Sequence, residues 1–397
     1  MSISVESRFD RQVPDMTKPL PYGRQWIDEE DIAAVSEILR SDFITTGPMV
    51  DRLEAEVTEV TGAKYAVAVN SGTSALHCAY FAAGLGEGDE LITSPMTFCA
   101  TANMAHILGA KAKFVDVEAD TGNIDAKLIE EAITERTKII APVDYTGQPA
   151  EYDEINEIAK GHGIKVVADA AHSFGAKYKN RNVGTLADMT EISMHPVKPF
   201  TTGEGGMVLT DNKDLADRAR RFRSHGITRD FELLGVTEDP GYWYYEMLHM
   251  GVNYRLTDIQ GALGLSQLKK VPSFIARRQE IVDRYDEVFN SVPEVIRPVV
   301  RPYNKSGWHL YVLRLRDKSR RRAFFDRLRD LGLLVQVHYV PVHLHPYYRE
   351  LGFAKGQFPV AEDFYERSVS IPLFPKMTDA DVDSSIERIL QAVKDSH

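Results

Sequence analysis

Short apolar runs alternate with helix-prone stretches through the first half of this chain, and that alternation restricts the fold more than any other feature. Residues 66–69, 90–93, 112–117, 137–143 and 165–168 read as strands, with 75–83 and 152–160 as helices among them. Two further strands, 191–194 and 207–210, precede a helix over 213–223. Strands that alternate with helices need crossover connections, which give a largely parallel sheet covered by helices on both faces. Upstream, Ile32, Val35, Ile38 and Leu39 fall on one stripe of a helix over 28–40.

The pattern changes beyond residue 257. An amphipathic stretch over 257–289 contains Pro272, which is expected to break or kink it. From 291 onward, strand patterns at 309–315 and 335–339 accompany helices over 320–331 and 379–393. A chain of 397 residues exceeds one ordinary core. The expected division is a tail at 1–20, a large α/β domain at 21–270 and a small α+β domain at 271–397.

The net charge of −11 argues against nucleic acid or an anionic membrane as the main partner, while leaving room for a local basic pocket. No apolar run reaches membrane-spanning length, and residues 1–14 lack the apolar centre of a secretory signal, so a cytoplasmic protein is expected. Cys78 and Cys99 sit inside apolar or helical patterns and read as buried free thiols.

Asp169 closes the apolar run 165–168, at the strand end where α/β folds bind ligands; alone, it could equally be a helix N-cap. Lys198 follows the strand at 191–194 and precedes Thr201-Thr202-Gly203-Glu204-Gly205-Gly206. A lone lysine is usually a solvated surface group. What sets this one apart is its place among loop glycines, past an apolar strand and downstream of Asp169.

Ser71-Gly72-Thr73-Ser74 stands at a strand-to-helix turn, where small residues expose backbone N–H groups to an anion. Such turns are also common caps. No Gly-Lys-Ser/Thr follows, which excludes a Walker loop, and the glycines at 203–206 come after the lysine rather than opening a helix, which excludes a dinucleotide fingerprint. Phe98 follows the next strand and could cover a ring or simply pack in the core. An amine to bond an aldehyde, a carboxylate to hold a pyridine nitrogen protonated, an anion cradle and an apolar face are what pyridoxal phosphate asks of a protein. His338, His343 and His345 invite a metal reading, but no cysteine lies nearby; a loop lining a polar pocket fits better and no metal is expected.

These residues belong to longer motifs: Thr45-Thr46-Gly47, Asn70-Ser71-Gly72-Thr73-Ser74-Ala75-Leu76, Pro95-Met96-Thr97-Phe98, Asp169-Ala170-Ala171-His172, His195-Pro196-Val197-Lys198, Thr202-Gly203-Glu204-Gly205-Gly206 and Asn253-Tyr254-Arg255-Leu256-Thr257-Asp258-Ile259-Gln260. Together they resemble the DegT/StrS-type sugar aminotransferases of PLP fold type I, over Leu20 to about Pro375. The resemblance implies an aspartate-aminotransferase-like large domain and a pyridoxal 5′-phosphate cofactor. Lys198 would be the Schiff-base lysine and proton shuttle, Asp169 the partner of the ring nitrogen, and His172 a contact on the ring-hydroxyl side. Thr73, Ser74 and Ser193 would bind the phosphate. Asn253 would reach phosphate or substrate from the neighbouring subunit, which makes the active unit a homodimer.

Tyr22, Asp42, Phe43, Ile44, Thr45, Gly72, Ser193, Asn253, His309, His338 and Tyr339 match family positions near the nucleotide-linked keto-sugar. L-Glutamate is the implied amino donor. Trp243-Tyr244-Tyr245-Glu246-Met247 and Gln336-Val337-His338-Tyr339-Val340-Pro341 are similar to the branch that aminates C4 of a UDP-linked 4-keto-6-deoxy-N-acetylhexosamine on the pseudaminic acid route. The alternatives are a transaminase for another nucleotide sugar, such as a GDP-linked keto-sugar of the perosamine type, and a non-catalytic sugar-nucleotide sensor on the same fold. Relatives that dehydrate sugars carry histidine at the lysine position; Lys198 favours transamination, and together with Asp169 it argues against the sensor. Met194 departs from the phenylalanine usual in the family.

Overall fold

The computed structural model describes residues 19–238 and 241–396. Residues 1–18 of the expected tail therefore lie outside the described residues, whereas Leu20–Pro21 belongs to the fold, pairing in parallel with Leu333–Leu334.

A seven-stranded sheet forms the centre. In chain order its strands are β1 (Tyr65–Val69), β2 (Glu90–Thr93), β3 (Lys111–Phe114), β4 (Thr137–Ala141), β5 (Lys165–Asp169), β6 (Met189–Ser193) and β7 (Gly206–Thr210). Their spatial order is β1-β7-β6-β5-β4-β2-β3. All pairings are parallel except those of β7, which runs against both β1 and β6. The expected parallel sheet is thus present, with one reversed strand that apolar patterning alone does not reveal.

The principal helices are α1 (Glu29–Leu39), α2 (Pro48–Thr61), α3 (Gly72–Ala82), α4 (Ala100–Ile107), α5 (Tyr152–His162), α6 (Lys213–Arg223), α7 (Asp258–Leu268), α8 (Val271–Phe289), α9 (Arg321–Asp330), α10 (Pro359–Arg367) and α11 (Asp379–Asp395). Successive strand residues feed opposite cores. Val67, Val69, Val167, Met189 and Val208 pack with residues of α3, α4 and α6. Ala66, Ala68, Ile192 and Met207 pack with α2, α7 and the start of α8, while Ile140, Val166 and Ala168 pack with α5. Burial on both faces explains why these strands read as continuous apolar runs.

Pro272 starts a helix instead of kinking one. It stands in the first turn of α8, where its missing N–H has no intrahelical acceptor to lose, and the break falls between Leu268 and Val271. A second, antiparallel sheet joins β8 (Val295–Ile296), β9 (Tyr311–Leu315) and β10 (Ser368–Ile371). Its core takes side chains from the latter part of α8, from α9 and from α11. The expected strand at 335–339 does not form. Only Gln336 bridges Ser370, and the following residues turn His338 and Tyr339 toward a cavity instead of a ladder. Helices α2, α4 and α10 are absent from the sequence expectation; α2 opens on Gly47-Pro48, which reads as a turn. Cys78 is buried and Cys99 half-buried, both as free thiols. No described helix is long and apolar enough to cross a membrane.

Candidate active site

β5 and β6 lie side by side with Asp169 opposite Glu191 in the register. Asp169 closes β5 at the carboxyl end of the parallel strands, where the crevice of an α/β sheet opens, and Glu191 stands beside it within β6. Asp169 is 6% exposed. The Thr101 hydroxyl of α4 donates to its Oδ2 at 2.6 Å, and the Ala171 N–H donates to its Oδ1 at 3.2 Å. The two donors hold the carboxyl in one orientation.

Beyond β6 the chain makes a tight excursion that carries Lys198. The Lys198 N–H donates to the His195 carbonyl at 2.9 Å. The excursion is closed by Met194 N–H to Gly205 O at 2.8 Å and Thr202 N–H to Met194 O at 3.1 Å. The chain then returns as β7. Lys198 lines a cavity of about 470 Å³ together with Asp169, Glu191 and Ser193. Burial lowers the Lys198 ammonium to about 8, against the opposing pull of the Glu191 and Asp169 carboxyls. An amine tuned in this way has free base available near neutrality, which a nucleophile toward an aldehyde needs.

The N-terminus of α3 forms another wall. Ser71 is its N-cap, accepting the Ser74 N–H at 3.1 Å, and Gly72 and Thr73 line the cavity. Exposed N–H groups and the helix dipole suit a phosphate. Close packing dictates the glycines here. A Cβ on Gly72 would lie 2.5 Å from Glu191 Oε1, and one on Gly206 would lie 2.3 Å from the Ser71 carbonyl oxygen. Ser74 is turned into the helix start, where its hydroxyl donates to Asn70 Oδ1 at 2.6 Å.

Aromatic rings and imidazoles close the remaining side. The His172 and His309 rings are 4.3 Å apart, and His172 Nε2 lies 3.0 Å from the Tyr339 hydroxyl. Phe98 faces Tyr339 with ring centres 6.0 Å apart; Tyr22 packs on His338 at 4.9 Å, and His338 Nδ1 meets Ser370 Oγ at 2.8 Å. Burial, assisted by the Lys198 charge, holds His172 and His309 well below the usual imidazole range and His338 at about 4. Burial likewise lowers His195, so all four imidazoles that line the cavity disfavour a second positive charge beside the lysine. Nδ1 of His172 and Nδ1 of His309 are buried without a hydrogen-bond partner among the described residues, which leaves polar atoms to be met by a ligand. An amine, a buried acid, a helix N-terminus and an exposed Phe98 face around one cavity fit pyridoxal phosphate on every count.

Eleven of the residues singled out from sequence line this one cavity: Tyr22, Gly72, Thr73, Phe98, Asp169, His172, Ser193, Lys198, His309, His338 and Tyr339. Asp42, Phe43, Ile44, Thr45 and Asn253 do not; all five are exposed. They share one outer region of the protomer. Thr45 bridges Thr257 and Asn253 bridges Ser224, while Asp258 accepts the N–H groups of Gly47 and Met49, both at 2.7 Å. The histidine cluster separates: His338 faces the cavity, His343 Nε2 pairs with Glu362 Oε1 at 2.9 Å, and His345 lines a different recess with Tyr347 and Tyr348. Two residues of the site went unnoticed in the sequence. Glu191 could have been found, as an acid within the short strand that leads to Lys198; Thr101 could not, because its role depends on how α4 packs.

The reversed β7, the strand-end acid and the lysine hairpin define a pyridoxal-phosphate enzyme of fold type I. Residues 25–390 match the DegT/DnrJ/EryC1/StrS aminotransferase family, and the chain belongs to it. Among its relatives, the spore coat polysaccharide biosynthesis protein SpsC of Bacillus subtilis is 41% identical, over 94% of this chain and 97% of that protein. The UDP-4-amino-4,6-dideoxy-N-acetyl-beta-L-altrosamine transaminase of Campylobacter jejuni is 38% identical, over 94% and 98%. Among solved structures, Helicobacter pylori PseC, an aminotransferase involved in the biosynthesis of pseudoaminic acid, superposes with a TM-score of 0.88 at 34% identity, covering 95% of this chain and 100% of that one. Spr1654 of Streptococcus pneumoniae in its PLP form gives 0.89 at 32% identity, covering 96% and 100%. The chain is accordingly a PLP-dependent sugar aminotransferase.

Proposed function

We propose that this enzyme moves the amino group of L-glutamate to C4 of a UDP-linked 4-keto-6-deoxy-N-acetylhexosamine, on a pseudaminic acid route. The similarity to the Campylobacter transaminase and to the Helicobacter aminotransferase supports this substrate class. The observation that carries the reaction is the single cavity in which the Lys198 amine, depressed to about 8, meets the buried Asp169 carboxyl.

In this reading, Lys198 would carry the cofactor and Asp169 would face its ring nitrogen. Thr73 and Ser193, with the first turn of α3, would hold the phosphate, and Phe98 would cover the ring. Bound pyridoxal phosphate supplies the electron sink that stabilises a carbanion next to nitrogen. The protein supplies the proton handling. Lys198 Nζ takes the proton from Cα of glutamate, and in the second half-reaction it delivers one to C4 of the sugar. Neutral His172, His309 and His338 offer hydrogen bonds to sugar hydroxyls without adding charge beside the amine. Asp42–Thr45 and Asn253, exposed on each protomer, would complete the site of a partner copy in a homodimer.

Half-reaction spectroscopy tests the proposal. L-Glutamate should bleach the visible absorbance of the cofactor-loaded enzyme, and the UDP-linked 4-keto-sugar should restore it faster than GDP-linked or 3-keto analogues. A GDP-linked sugar that restores the colour best would move the substrate to another branch. No colour change with glutamate would favour a non-catalytic sensor.

A further inference from the structure

The lysine–aspartate pair accounts for the main chemistry, but it leaves one buried acid unused. Glu191 sits in the middle of β6 and is 1% exposed. Its register partner on β5 is Asp169, and on β7 it is the apolar Val208. Neighbouring strands direct register partners to the same face, so the two carboxyls lie side by side beneath the cavity, which both line. Neither oxygen of Glu191 has a hydrogen-bond partner of good geometry among the described residues. An acid this deep, unpaired with any cation on its own strand, is costly to keep charged.

We propose that Glu191 is a second acid of the cofactor site, a positioning residue whose carboxylic O–H lies against Asp169 and aims the Asp169 charge at the ring nitrogen. The inference rests on the placement of the cofactor in the Lys198 cavity. The titratable groups around Glu191 are Asp169 on β5, Lys198 on the lysine hairpin and Tyr80 on α3. Burial first, and then the Asp169 charge, push Glu191 far above the ordinary carboxyl range; Lys198 opposes them. Two carboxyls so close hold one proton between them more readily than none. The pair then presents one negative charge to a pyridinium carrying one positive charge.

Geometry adds a second consequence. Oε1 of Glu191 lies so near the first turn of α3 that a Cβ on Gly72 would be 2.5 Å from it. That turn is the phosphate cradle. While Glu191 keeps its proton, the floor beneath the phosphate carries no added negative charge. When the proton leaves at alkaline pH, a second anion appears there and repels the phosphate. Glu191→Gln keeps the shape and the donor but cannot ionise.

The test uses pyridoxamine 5′-phosphate, which forms no bond with Lys198, titrated into the wild type and Glu191→Gln from neutral to alkaline pH. Because the Glu191 carboxyl helps to hold the Lys198 ammonium, both titrations are repeated in a Lys198→Ala background, where the difference must persist. The two affinities should agree within about twofold at neutral pH, and the wild type should lose about tenfold more than the variant as pH rises. Infrared difference spectra of the wild type at neutral pH should show a protonated-carboxyl band that Glu191→Gln lacks. Parallel affinity losses, or a wild type without that band, overturn the inference. Asp169→Asn serves as the control: if it leaves the affinity unchanged, the cofactor placement itself fails. If it weakens binding while Glu191→Gln tracks the wild type throughout, only the role of Glu191 is lost.

Discussion

Thr101 shows how much of a site can hang on one hydroxyl. Its Oγ1 donates to Asp169 at 2.6 Å and lies 2.7 Å from Thr97 Oγ1, so a small relay on α4 and the loop before it fixes the acid. A hydrogen bond to a charged group is worth about 1.5–3 kcal/mol. Thr101→Val keeps the shape and deletes the donor. It should weaken pyridoxal phosphate about tenfold or more in an equilibrium titration, while Thr101→Ser retains most of the affinity; equal binding by both variants would deny the relay. At this scale the sequence was legible wherever chemistry coincides with a strand end. Asp169 and Lys198 announce themselves because a polar group follows a buried apolar run. Thr101 sends no such signal, since a threonine at a helix start is ordinary.

Elements tell a similar story. The buried strands were readable because two helical layers demand apolar residues on both faces. The direction of β7 was not, since a reversed strand buries the same side chains. The reversal matters: it brings Gly206 back to the cavity end of the sheet, against the Ser71 carbonyl. Gly206→Ala should therefore disturb the phosphate turn, with cofactor affinity falling sharply and thermal stability falling with it. Gly203→Ala meets no neighbour within 4 Å, and its φ of +82° costs only about 1 kcal/mol for a non-glycine residue. A calorimetric scan and a cofactor titration of both variants would separate packing from backbone strain. The failure at 335–339 has the reverse cause. Only Gln336 pairs, with Ser370, and the β-prone residues after it carry His338 and Tyr339 to the cavity wall.

At the scale of the molecule, the exposed aromatic and apolar side chains are not evenly spread. Phe43 and Ile44 lie in the stretch next to Asn253–Thr257, and Tyr242, Trp243, Tyr245, Met247 and Met250 lie just before it. Such concentrations mark association surfaces. The proposed homodimer should appear in sedimentation, and mixing Lys198→Ala with Asn253→Ala subunits should recover part of the activity each lacks alone; no recovery would confine the site to one chain. The small domain proposed from residue 271 begins with α8, and this helix belongs to both cores. Val271 and Ile275 pack under the large sheet, while Ile281, Val282 and Tyr285 pack with the small one. With 19 residues, α8 spans about 28 Å without interruption. A continuous strut of this kind ties the core beneath the large sheet to the core beneath the small one.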